Sequence, residues 1–167
     1  ATFPDSALAA LNRETMTQLQ SSLPAAVGSE LQLQFNRKSN PEVYNDESSA
    51  EKLIEATFAL EDLNPQHREQ LTQLSGQFRG EYYAKCDEMV RMQEERNNMV
   101  NRAMGGNGFI PNRADMDREI KLQRLRYERE EVNARTRLRV KLLLPPDQAA
   151  RIPEPMWQES GRRFDWD

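Results

Sequence analysis

Leu63-Asn64-Pro65-Gln66-His67 opens, and Leu144-Pro145-Pro146-Asp147-Gln148 closes, the stretch whose reading decides the fold. From the first pentapeptide a helical pattern runs to Met104, breaks at Gly105-Gly106-Asn107-Gly108, and resumes from about Ala114 to Leu144. In the first arm Leu71, Leu74, Phe78, Tyr82, Cys86 and Met89, then Val100 and Met104, recur mostly at spacings of three and four. That period places them on one face of a helix. Gln93, Arg96 and Asn97 interrupt the stripe. A helix from Pro65 to Met104 is about 60 Å long at 1.5 Å per residue, and such a length calls for a partner helix. The glycines supply the turn, because glycine tolerates positive φ, and Ile110-Pro111-Asn112 extends it. A phosphate-cradling loop is the poorer reading, since no strand precedes the glycines and no Gly-Lys-Ser/Thr follows them. The expected fold class is all-α, a long helical hairpin with additional short helices.

The second arm carries Met116, Ile120, Leu125, Val132, Leu138 and Leu142 among many charges. From Arg118 to Lys141 there are nine Lys or Arg against four Glu, with the richest part at Arg135, Arg137, Arg139 and Lys141. On a helix these four cations spread around the axis. Arginines on a solvated helix with their stems along apolar surface account for them plainly. The functional alternative is a positive face for acidic or partly unfolded partners, so Arg135, Arg137, Arg139 and Lys141 are the candidate client-binding residues. Nucleic acid fits poorly, because no aromatic residues interleave with these arginines.

Both pentapeptides read as helix starts. In the first, Asn64 sits at the N-cap and accepts an amide hydrogen bond. Pro65 sits at the first helical position, where its missing N–H costs nothing. His67 takes the place of the Glu or Gln of a capping box, and Leu63 points back to the bundle. In the second, Pro146 is the first helical residue, Asp147 lies near the positive helix end, and Gln148 follows. Pro145 then holds the cap position without a side-chain acceptor. Leu11-Asn12, with Gln18 and Leu19, aligns with Leu63-Asn64, Gln70 and Leu71 and suggests a degraded third copy.

Working outward, Pro4-Asp5-Ser6 looks like a helix start, and Leu8, Leu11, Thr15, Leu19 and Leu23 follow at helical spacing, with an end near Ser22. In residues 24–45, Leu31, Leu33 and Phe35 alternate with glutamines as a strand would, while Val27, Leu31 and Phe35 suit one helix face. With no partner strand in sight, a helix after Gly28-Ser29 is the favoured reading, ended by Asn40-Pro41. Asp46 to Ser49 offers caps for a helix of roughly three turns bearing Leu53, Ile54, Thr57 and Phe58. Residues 42–62 hold seven acids against Lys52 alone and read as a solvated acidic face. After Gln148 a short helix is expected to reach only Arg151 or Ile152, stopped by Pro153 and Pro155. Met156, Trp157, Phe164 and Trp166 lie in a polar tail and are expected to dock. The expected organisation is a helical or partly disordered extension over 1–45, a hairpin domain over 46–152 and a Pro/aromatic tail over 153–167.

Composition agrees with thin helices rather than a thick globule. The 167 residues are 37% hydrophobic and 30% charged, and mean hydropathy is -0.88. Such a chain is either disordered or built of helices with much exposed surface. The core is expected to be shallow, which favours a homo-oligomer that hides apolar faces. A net charge of -4 argues against a general nucleic-acid binder. Cys86 is the single cysteine, so an intramolecular disulfide is excluded. No run of about 18 apolar residues predicts a membrane span. The chain begins at Ala1-Thr2-Phe3-Pro4, as a removed leader or a truncation would leave it.

A Leu-Thr-x-x-Gln motif at the starts of two helices around a long charged hairpin resembles the Spy/CpxP-like periplasmic stress proteins. Zinc resistance-associated proteins and related metal sensors look similar. The matching residues are Leu63-Asn64-Pro65-Gln66-His67 and Leu144-Pro145-Pro146-Asp147-Gln148, the latter preceded by Arg139-Val140-Lys141-Leu142-Leu143. The motif threonine is Asn64 in one copy and Pro145 in the other, and the terminal glutamine is His67 in the first. The resemblance covers about half of the chain. It implies an all-α exported protein, often a dimer with a cradle-like surface, with Ala1 as the mature N-terminus. Some members hold unfolded proteins without ATP, and others sense or buffer metals.

Three functional expectations follow. The first is an ATP-independent periplasmic chaperone or stress-response protein, homodimeric, that holds partly unfolded proteins on a helical surface and uses no cofactor. The second is a periplasmic heavy-metal-binding or metal-sensing protein. Its weak ligand candidates are His67, Cys86 and Met89, with Met92, Met99 and Met104 as further soft donors for copper(I). A helix-start role for His67 and core roles for Cys86 and the methionines explain them more simply. The third is a structural coiled-coil or adaptor protein, which needs sustained heptads that the second arm breaks. No enzyme is expected: the lone histidine and lone cysteine are about 28 Å apart along one helix, and no acidic pair marks a pocket.

Overall fold

The computed structural model describes the backbone of residues 5–44, 49–104 and 113–157, and the side chains of 11–44, 49–97 and 113–157. Those residues form seven α-helices and one turn of 3-10 helix, with no strand among them. The chain divides into two compact units, Ala1–Asn45 and Asp46–Asp167.

The first unit pairs α1 (Asp5–Ser22) with α2 (Ala25–Ser39), followed by α3 (Pro41–Tyr44). Helix α2 starts five residues earlier than the sequence suggests, directly after Pro24, whose carbonyl accepts the Gly28 N–H at 2.9 Å. Gly28 therefore lies within the helix rather than ahead of it. Its role is contact, not punctuation: a Cβ there would stand 2.9 Å from the Gln20 carbonyl oxygen. The missing side chain lets α2 approach α1 at that point. Asn40 ends α2 as expected, its N–H bonded to the Asn36 carbonyl. Beyond it α3 buries Val43 and Tyr44, and the Tyr44 hydroxyl accepts from the Asn36 amide at 3.2 Å. The suggested third motif copy is not a helix start, because Asn12 lies inside α1.

The second unit is organised around α5 (Pro65–Met104) and α6 (Arg113–Leu143). Cross-helix pairs fix their antiparallel sense. Arg135 bonds Glu81, Lys85 bonds Glu128 at 2.5 Å, Lys121 bonds Glu88 at 3.0 Å and Arg96 faces Glu119 at 3.8 Å. Leu71, Leu74, Phe78, Tyr82, Cys86, Met89 and Met92 of α5 are buried, together with Leu122, Leu125, Val132 and Val140 of α6. Phe78 and Tyr82 stack with ring centroids 5.0 Å apart, and the Arg129 guanidinium lies 5.6 Å from the Tyr82 ring. The side chains of Val100 and Met104, and the Gly105–Gly108 turn, lie outside the described residues.

Helix α4 (Ala50–Phe58) packs against both long helices and buries Ala50, Leu53, Ile54 and Thr57. Its start is held twice. Ser49 caps it by accepting the Glu51 N–H at 3.3 Å, and Asn133 of α6 accepts the Ala50 N–H at 3.0 Å. Both Ala50 and Asn133 are fully buried, so no solvent replaces that bond. Asn133→Ala is expected to cost about 1–3 kcal/mol, the usual cost of a buried donor left without its acceptor, read from denaturant unfolding. Glu51 departs from the expected solvated acidic face. It binds Arg79 at 3.2 Å and the Tyr83 hydroxyl at 2.7 Å, which ties α4 to α5.

The Pro146-started turn α7 (Pro146–Ala149) and the 3-10 turn Glu154–Met156 close this unit, the latter packing on α4. Met156 and Trp157 are half-buried; Phe164 and Trp166 lie outside the described residues. Among the described residues no helix is long and apolar enough to cross a membrane.

Candidate binding face

The second pentapeptide reaches the residue that precedes the first, Asp62. Asn64 accepts the His67 N–H at 2.7 Å, and its amide lies 3.1 Å from His67 Nδ1, a reciprocal cap at the start of α5. Leu63 is buried. In the second pentapeptide Pro145 provides no side-chain cap. Gln148 instead turns away from its own helix and donates to the Asp62 carbonyl at 3.0 Å, while Arg151 holds the Asp62 carboxylate at 2.5 Å. Leu144 is buried beside this junction in sequence, and Pro146 is exposed. Leu63, Asn64, Pro65, His67, Leu144, Pro146 and Gln148 thus occupy helix starts and the joint between them. The guanidinium of Arg151 lowers the Asp62 carboxyl from its ordinary value, and Asp62 raises Arg151 in turn.

The four candidate cations do not form one patch. Arg137 is only 7% exposed and belongs to the inner face of α6, a correction to its reading as a surface residue. Arg135 is half exposed and bonds Glu81, and Arg139 donates to Gln77 at 3.1 Å. Lys141 is exposed. Two of the surface cations are therefore engaged with α5, and Lys141 lies on the other flank of the helix.

What the sequence left unmarked is the apolar side of α6. Met116, Ile120, Leu138 and Leu142 do not join Leu125 and Val132 in the core. They are 64%, 66%, 57% and 77% exposed, and Tyr127 is 71% exposed. At 100° per residue these five fall within an arc of about 80°. The centre of that arc lies opposite the buried Leu122, Leu125, Val132, Thr136 and Val140. Scattered exposed apolar residues are ordinary; here five share one arc of a helix, spaced by Arg124, Glu131 and Ala134 in the same arc, and make a mixed apolar and charged face. At its Met116 end the stripe borders a cleft of about 300 Å³ that Met92 and Leu122 line with Arg96 and Glu119.

Charged residues border the stripe. Glu128 binds Lys85 at 2.5 Å and Arg124 at 2.9 Å. Lys85 first, then Arg124, lower its carboxyl from the ordinary glutamate value. A carboxyl depressed in the fold stabilises it above the ordinary value, and that contribution disappears as pH falls through the depressed one. The unfolding temperature of Glu128→Gln is therefore expected to lie below wild type by a constant amount from about pH 7 to 5, and the gap to close below about pH 4.

The metal candidates do not converge. His67 is engaged with Asn64 at the start of α5, whereas Cys86 and Met89 are buried further along the same helix. No group of three or more His, Cys, Asp or Glu that could hold a metal ion is found among the described residues. Comparison of the chain with protein-family models, with curated proteins and with solved structures finds no match.

Proposed function

We propose that this chain is an ATP-independent holding protein of the periplasmic stress-response kind, which binds partly unfolded proteins on the outer face of α6. The observation that carries the reading is the alignment of Met116, Ile120, Tyr127, Leu138 and Leu142 on a face turned away from the core. Unfolded chains expose apolar side chains without a fixed sequence. A rigid helix that offers spaced apolar contacts among charges of both signs binds them weakly and broadly, as plastic recognition requires. The charges also keep so apolar a face in solution. Arg139 and Lys141 border the stripe at one end and add attraction for acidic segments; Arg135 is neutralised by Glu81 and Arg137 takes no part. The pentapeptide resemblance to the Spy/CpxP-like proteins supports the same reading, and with it a homodimeric resting state.

The test is light scattering by a chemically denatured protein diluted into buffer without nucleotide. The chain at an equimolar ratio is expected to suppress the scattering. No effect at several-fold excess would overturn the proposal.

A further inference from the structure

The outer stripe of α6 is arranged symmetrically about Arg129. Met116 and Leu142 lie thirteen positions either side of it, and Ile120 and Leu138 nine. The charges follow the opposite rule. The acids Asp117 and Glu119 stand near one end of the stripe, and the bases Arg139 and Lys141 near the other. By helical angle Asp117 and Arg139 lie on one flank, and Glu119 and Lys141 on the other.

We propose that this stripe is self-complementary. In the absence of a client it is covered by the same stripe of a second copy running antiparallel and centred on Arg129. Two-fold symmetry of this kind brings each flank of the helix against the same flank of its copy. Met116 then meets Leu142, and Ile120 meets Leu138. Asp117 comes beside the second copy's Arg139, and Glu119 beside the second copy's Lys141. Tyr127 faces the second copy's Glu131, a phenol donor against a carboxylate. A parallel pair instead sets opposite flanks together, placing Asp117 against Glu119 and Arg139 against Lys141, like charge on like. Arg124 comes near the second copy's Arg135, but each is already held by a carboxylate of its own chain, Glu128 and Glu81 respectively. The four opposite-charge contacts therefore favour the antiparallel orientation.

The size of the face sets the strength of the pair. The 31 residues of α6 span about 46 Å. A strip that long and about 10 Å wide covers roughly 500 Å² per copy, so the pair falls below the roughly 1,200 Å² total of stable interfaces. The dimer is exchangeable. Resting on the holding function proposed above, this makes self-association the cover that a client displaces: the same side chains serve both.

Two single-cysteine variants, Ile120→Cys and Leu138→Cys, test this, one of them tagged so that the mixed product has its own mass. Both positions are exposed and leave the core untouched, and native Cys86 is buried, so wild type serves as the blank. With a short bismaleimide, the mixture is expected to give the 120–138 product at several-fold above either variant alone. An antiparallel pair holds the two copies of position 120 about 27 Å apart. A dominant 120–120 product, or a monomer by sedimentation at tens of micromolar, would overturn the pairing. Excess denatured client is expected to reduce the mixed product several-fold. If client is held while the product is undiminished, the shared face is overturned. If the product forms but aggregation is not suppressed, the antiparallel pair stands and the holding function falls.

Discussion

Phe78→Ala is expected to lower the stability of the second unit by about 3–5 kcal/mol, the range found when a buried aromatic side chain is truncated. Phe78 is 2% exposed and stacks on Tyr82, which is itself fully buried. The substitution removes both the transfer of the ring from water and the stacking contact, and it leaves a void that two long helices cannot close by local shifts. A domain is stable by about 5–15 kcal/mol in all, so most of the margin disappears. The unfolding temperature is expected to fall by on the order of 10–20 °C. Arg91→Ala on the exposed side of α5 is the control, expected within about 0.5 kcal/mol of wild type. Thermal and urea unfolding followed by circular dichroism decide it; equal stability of the two variants would place the core elsewhere.

The triple variant Ile120→Gln, Leu138→Gln, Leu142→Gln is expected to do the reverse: lose holding and keep the fold. All three side chains are more than half exposed, and none contributes to the buried face of α6. Glutamine is a good helix former, so the helix itself is little affected. A client that covers these three residues gains on the order of 1 kcal/mol from each. Losing about 3 kcal/mol corresponds to roughly a hundredfold in affinity. At least tenfold more of the variant is expected to be needed for equal suppression of light scattering, with an unfolding temperature within a few degrees of wild type. A variant that holds clients as well as wild type would remove the outer stripe from the function.

The first long helix was legible because its apolar residues, from Leu71 to Met89, form one stripe and leave one choice of face. The Asn64 cap was legible because capping is local: acceptor and donor are three residues apart. Helix α6 was legible as a helix but not as a surface. Its apolar residues occupy two opposite sides, and periodicity does not say which side meets α5. The same ambiguity hid Tyr127, although its spacing from Ile120 and Leu138 marks it once the outer face is known. Arg137 runs against the ordinary exposure of arginine, so composition misplaced it. Asn133, which caps a helix eighty-three residues earlier, and Gln148, which reaches Asp62, act across the fold and leave no short-range pattern. Gly28 reads as a boundary in sequence and proves to be a point of close helix approach, because only the neighbouring Gln20 reveals the need for a missing side chain.

Photo-crosslinking locates the client directly. A benzophenone side chain at position 138, on the outer face of α6, is compared with one at position 91, on the exposed side of α5, each with excess denatured test protein and no nucleotide. Capture at 138 several-fold above capture at 91 is the predicted result. Equal capture at the two positions, or preference for 91, would contradict the assignment of the outer face of α6 as the binding surface.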